Sequence, residues 1–222
     1  MEKKLKKLIW DLPLRLFHWL LVILIGLAWY TVEISGDMDL HMLAGQGILA
    51  LLIFRIFWGF LGTKHSLFKN FLFGIPEIFS YIKNIFSSSS RKYIGHNPLG
   101  SIAVFIILSL LLFQTVTGLF ATDYDGYFKG PLNDLISSAT GNSITGLHHE
   151  NFEIFITSII FIHIFAIFFH LLVKKENLIF PMFSGKKADI DANEEIKDPK
   201  TLKALISFIA ASIIVLLLVN II

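Results

Sequence analysis

The histidines are the residues of this sequence best suited to chemistry, and their spacing narrows which chemistry. His18, His41, His149, His163 and His170 fall in or at the ends of long apolar runs, while His65, His96 and His148 occupy loop or boundary positions. An ionisable side chain inside a membrane segment is costly and usually has a function. His149 and His163 are fourteen residues apart, which on an α-helix leaves them about 40° apart on one face and about 21 Å apart along the axis. His18 opens the first apolar run and His41 the second, from opposite sides of the membrane. Depth therefore pairs His41 with His149 and His18 with His163. Two imidazoles on facing helices at matching depth suit bis-histidine ligation of a haem iron, with the porphyrin filling the gap between helices. Two such pairs would hold two b-type haems stacked across the bilayer.

Other residues fit the same picture. A flat macrocycle needs close backbone approach, and Gly45 lies four residues from His41, Gly26 eight from His18, and Gly118 on the third apolar run. Haem propionates need cations: Arg15 is one turn from His18, and Arg55 is fourteen residues beyond His41, on its face but at the inner pair's depth. Each feature has a structural alternative: tight helix packing for the glycines, snorkelling to the headgroups for the arginines, a hydrogen bond to a neighbour for any single histidine. His170 is about 20° from His163, so helical phase leaves it open as an inner ligand, but about 31 Å from His149 it would span nearly the whole hydrocarbon layer. His148 competes with His149 at the outer position. Gln114, in the third run, reads first as a helix–helix hydrogen bond.

The elements that must position these groups are membrane helices. The chain has 222 residues, of which 55% are hydrophobic and 16% charged, with 22 Phe and no Cys. Without Cys there are no disulfides, thiolate catalysis, iron–sulfur clusters or thioether-linked haem. A net charge of +2 gives no case for nucleic acid. Five apolar spans are predicted, at about residues 12–33, 41–62, 98–122, 149–173 and 204–222, each near the ~20 residues that cross a bilayer. Lys3, Lys4, Lys6 and Lys7 precede the first, which is too long for a signal-peptide core and is read as an uncleaved helix. These lysines, together with the basic segments 64–92 and 174–187, predict a cytoplasmic N-terminus and an outer C-terminus. The outer loops are short and acidic, with Asp37, Asp39, Asp123, Asp125 and Asp134, and GPLNDLISSATGNSITG reads as a compact outer loop able to dock a partner. Between the second and third spans, Ile75, Ile78, Phe79, Ile82, Ile85 and Phe86 repeat at helical spacing behind Pro76, as in a short helix lying in the inner interface. Ser87–Ser90 reads as a linker. The expected fold is an all-α membrane protein: a four-helix transmembrane haem-binding bundle plus a fifth C-terminal helix, in one domain spanning 1–222.

The blocks WDLPLRLFHWLL, HMLAGQGILALLIFRIFWGFLG, GHNPLG, TGLFA and LHHENFEIFITSIIFIHIFA, in this order, resemble the prokaryotic cytochrome b561 group, relatives of the membrane cytochrome b subunits of nickel-iron hydrogenases and formate dehydrogenases. The resemblance runs over about residues 9–187, which it implies are the haem core, with the fifth helix an addition. It also implies four haem ligands on the first, second and fourth helices, at the positions of His18, His41, His149 and His163. His148 matches a variable position and His170 one that is commonly aromatic. It further implies electron transfer in the bacterial inner membrane between the quinone pool and a periplasmic cytochrome c or a dehydrogenase catalytic subunit. Given that resemblance, the first reading is a stand-alone diheme cytochrome passing quinol electrons to an outer cytochrome. The second is a hydrogenase or dehydrogenase anchor subunit, and a histidine-lined metal-ion transporter is a distant third.

Overall fold

A side-chain cap starts four of the five membrane helices. Asp11 caps α1 (Leu12–Tyr30) by accepting the Leu14 amide at 2.7 Å, with Pro13 in the first turn, where an amide has no partner to lose. Asp37 does the same for α2 (Met38–Leu61) through the Leu40 amide. The structure is a computed structural model and describes residues 6–86, 93–123, 126–188 and 190–220; Lys3, Lys4, Asp125 and Ser87–Ser90 lie outside the described residues. α1 continues as a π-helical segment, Thr31–Ser35, and stops at Gly36, whose φ of 70° is a left-handed conformation that glycine adopts without strain. The amphipathic helix expected before the Ser-rich run is present as α3 (Ile75–Lys83). Asn97 caps α4 (Pro98–Phe120) through the Gly100 amide at 2.7 Å. Then follow α5 (Ser138–Glu150), a π-helical segment Asn151–Ile156, α6 (Thr157–Leu172), the short α7 (Ile179–Ser184) and α8 (Thr201–Val219).

Among the described residues, five helices are long and apolar enough to cross a membrane: Leu12–Ser35, Met38–Leu61, Pro98–Phe120, Ser138–Leu172 and Thr201–Val219. Phe60, Phe161, Phe165 and Leu217 are well over half exposed, as lipid-facing side chains are. This is the expected all-α, multi-pass membrane fold.

The fourth span departs from expectation. It is 35 residues long and begins at Ser138 rather than near His149, so much of the stretch read as a compact outer loop is helix. Ser137 caps it by accepting the Thr140 amide at 3.2 Å. Ser, Thr, Gly and Asn give this part no apolar signal because it stands beyond the hydrocarbon: 35 residues rise about 52 Å against a core of about 30 Å.

α2 sits at the centre, packed on α1, α4 and α8. Phe17, Leu21, Leu51, Leu52, Phe54, Trp58, Leu111 and Ile156 form the shared core. α8 buries Ala204, Ser207, Ala211 and Val215, a stripe at helical spacing whose small members let it lie close against α2. The Lys200 ammonium precedes α8 and donates to the Leu61 and Gly62 carbonyls, closing the C-terminus of α2.

The end of the bundle at Asp11 and Lys200 is called inner below, and the opposite end outer. At the inner end β1 (Lys7–Leu8) pairs antiparallel with β2 (Lys186–Lys187). Beside it the fully buried Asp11 carboxylate accepts from Trp58 Nε1 at 3.2 Å, Ser66 Oγ at 2.5 Å and Thr63 Oγ1. This polar nest ties the start of α1 to the end of α2.

Candidate functional site

At the outer end a cavity of about 460 Å³ opens between α1, α2, α4 and α5, lined among others by His41, Gly45, Gln114, Gly118, His148 and His149. That volume lies in the usual range for small-molecule and cofactor sites. His41 Nδ1 lies 3.0 Å from the Ala28 carbonyl. A carbonyl only accepts, so Nδ1 carries a proton and Nε2 is the nitrogen left for a metal. A Cβ on Gly45 would meet nothing within 4 Å, whereas one on Gly118 would come within 3.1 Å of His148 Cε1. Gly118 therefore makes room for the His148 ring.

His148 comes closer to His41 than the sequence leads one to expect. The two ring centroids are 6.3 Å apart, edge to face. His148 Nδ1 donates to the Gln114 carbonyl at 3.0 Å, and its Nε2 accepts from the Gln114 amide at 3.0 Å. Gln114 is thus the helix–helix hydrogen bond expected of it, and its Oε1 accepts from Asn151 Nδ2 at 2.7 Å. The cause of the difference is the π segment. A π turn holds one residue more than an α turn, which sets the outer part of the helix back by about 100°. His163 then stands about 140° from His149 and about 40° from His148, instead of about 40° and 60° on a regular helix. Both histidines line the cavity, His148 packed against α4 and His149 at its open side.

At the inner end His18 and His163 are electrostatic neighbours. The His18 ring stands edge-on to Trp19 at 4.9 Å. Trp19 in turn stacks on Phe183 at 4.3 Å and donates to the Met182 carbonyl at 3.2 Å. Arg15 donates to the Phe183 carbonyl, so α7 is folded against the start of α1 beside His18. Arg55 does not snorkel: it is 2% exposed, with its guanidinium 4.6 Å over the Phe68 ring and Asp11 as an opposite charge nearby.

His170, the other inner candidate, has both ring nitrogens engaged. Nδ1 pairs with Glu176 at 3.2 Å and Nε2 lies 3.4 Å from Asn97 Nδ2. The His170 hydrogen bond and Lys187, 2.8 Å from the same carboxylate, hold Glu176 down to about 2. His170 anchors the end of α6 to the start of α4.

Sequence reasoning missed His96. Its ring lies between Trp10, at 4.9 Å, and Phe71, at 4.5 Å. Burial, and then the nearby Arg55 and His65, keep it neutral, with its pKa lowered to about 3. It also lines a second, inner cavity of about 350 Å³ with Lys64, His65, Tyr93 and Glu194. Only the end of the chain before α4 hints at it, through the motif GHNPLG.

A membrane bundle that sets histidines of separate helices opposite one another at two depths has the architecture of a membrane cytochrome b. The chain belongs to the prokaryotic cytochrome b561 family, whose model matches residues 9–185. Membership implies b-type haem and electron transport. Curated relatives named "Probable Ni/Fe-hydrogenase B-type cytochrome subunit" include that of Rhizobium leguminosarum bv. viciae, 24% identical over 216 residues, covering 81% of this chain and 87% of the relative. Those of Azotobacter vinelandii and Rhodobacter capsulatus are 24% and 23% identical, covering 80% and 81% of this chain and 86% and 80% of theirs. No solved structure matches.

Proposed function

We propose that this chain is the membrane cytochrome b subunit of a nickel-iron hydrogenase or a related dehydrogenase, with two b-type haems. His41 and His149 would hold one, His18 and His163 the other. Arg15 and Arg55 would meet propionates, and Gly45 would permit close approach of the macrocycle, while Gly118 serves the His148 ring instead. The observation that carries this reading is the hydrogenase naming of relatives that align along about four fifths of this chain. It places the subunit reading ahead of the stand-alone cytochrome that delivers quinol electrons to a periplasmic cytochrome c.

The donor set fits the group. His41 offers a free Nε2 fixed by its bond to Ala28. Among the described residues, buried polar atoms without a hydrogen-bond partner include Arg15 Nε, Arg55 Nη1 and His18 Nδ1, and propionates satisfy guanidinium nitrogens. Bound haem supplies a one-electron ferric/ferrous couple. The chain orients the ligand rings, excludes water and supplies charge that sets the potential. Electrons would pass from a catalytic subunit at the outer end toward membrane quinone.

The test is co-expression of the full chain with a hydrogenase from the same source. Two protohaems per chain by pyridine haemochrome, reduced by hydrogen in membranes only when the catalytic subunits are present, is the expected result. Haem reduced by quinol and oxidised by a soluble cytochrome c, with no response to hydrogen, would restore the stand-alone reading.

A further inference from the structure

The unpartnered buried polar atoms of the described residues lie on one side of the molecule: Arg15 Nε, His18 Nδ1, Arg55 Nη1 and His96 Nδ1. Burying such an atom without a partner is costly, so a ligand that satisfies several of them at once is the economical explanation. They form one neighbourhood. His96 packs on Trp10. The Trp10 carbonyl and Arg15 Nε both border Gly185, within 2.6 and 3.1 Å of where a Cβ would stand. Arg55 is an electrostatic neighbour of both His96 and Asp11. Along α1, Arg15 is about 4.5 Å and Asp11 about 10 Å inward of His18. The cluster therefore sits between the inner histidine pair and the inner surface.

We infer that His96 is a third propionate partner of the inner haem, beside Arg55 and Arg15. This rests on the cytochrome b reading above. A haem held by His18 would bring its propionate carboxylates to a neighbourhood that holds the unpartnered Arg15, Arg55 and His96 nitrogens. His65, also near Trp10, is already engaged, its Nε2 donating to the Glu194 carbonyl at 2.8 Å. His96 is not, and its ring is fixed between Trp10 and Phe71. Burial keeps the His96 ring neutral, so it can give a propionate an N–H without a charge, complementing the charged guanidinium groups.

Redox titration of the purified, haem-loaded full chain tests this, with infrared redox-difference spectra in the carboxylate region. His96→Phe fills the aromatic slot but removes the donor, and His96→Gln keeps a donor. In His96→Phe one midpoint should fall, by up to a tenfold change in the ferric/ferrous ratio at fixed potential, which is 59 mV. A less neutralised propionate favours ferric iron. The other midpoint should hold, the carboxylate bands should shift, and His96→Gln should recover most of both. If His96→Phe does not accumulate, His96→Leu carries the same comparison. Unmoved midpoints in loaded His96→Phe protein, or equal falls in the Phe and Gln variants, overturn the inference. A wild-type chain that binds no protohaem overturns the cytochrome b reading instead.

Discussion

The His148 ring stands edge-on to His41, 6.3 Å between centroids, with both of its nitrogens taken by Gln114 on α4. His149, next along the helix, lines the same cavity. The two histidines can thus divide the work, His149 facing the ligand space and His148 fastening the helix to α4.

Ligand variants separate these roles. Replacing His41 or His149 with Ala should remove one haem and leave the other, and His18→Ala or His163→Ala should remove the opposite one, by pyridine haemochrome and low-temperature difference spectra. His148→Leu should keep both haems but lose stability by about 1–3 kcal/mol, because the Gln114 amide is left unpaired. Loss of one haem in His148→Leu with retention in His149→Ala would make His148 the ligand, as the π-segment phase allows.

Arg55 should set the potential of the inner haem. A positive charge nearby stabilises ferrous iron, and a charge effect of about 1.4 kcal/mol corresponds to about 60 mV for one electron. In Arg55→Gln one midpoint should fall by tens of millivolts while the other barely moves. Two unmoved midpoints would confine Arg55 to its packing against Phe68 and Asp11.

Asp11 should matter for stability more than for redox chemistry. Its buried carboxylate accepts from Leu14, Trp58, Thr63 and Ser66. Asp11→Ala leaves those donors without an acceptor and Arg55 without its nearby counter-charge, a loss of about 3–5 kcal/mol. Thermal unfolding in detergent, followed by tryptophan fluorescence, should show a much lower midpoint than wild type.

Acid should loosen the junction between α6 and α4. The folded pKa of Glu176, about 2, lies below its ordinary value of 4.5. Its contribution is therefore fully present above about pH 4.5 and lost as pH falls toward 2. With partial exposure discounted, the effect is on the order of 2 kcal/mol. Glu176→Gln should be less stable than wild type at pH 7, and the gap should narrow by pH 3. A constant gap across that range would mean that the Glu176 charge contributes nothing.

The spans were legible because hydropathy reports burial in lipid, and the histidines in them stood out because a histidine in such a span is rare. The outer turns of α5 were not: Ser138–Gly146 is helical outside the hydrocarbon, where polarity carries no signal. Nor was the π segment, since nothing in NFEIFI distinguishes it from an α turn, and with it went the phase that brings His148 toward His41. His96 stayed hidden for another reason. It precedes its helix in sequence, and only tertiary packing carries it under Trp10 and beside Arg55.

The length of the fourth helix fixes where the membrane's waterline falls on the molecule. A 35-residue rod in a layer about 30 Å thick leaves roughly 20 Å standing clear of it. Ser138–Gly146 supplies about 13 Å of that mast, and it rises beside the mouth of the His41 cavity. On the proposed reading, a water-soluble catalytic subunit would meet the cavity at its own level, and electrons would change hands there without either partner entering the oil.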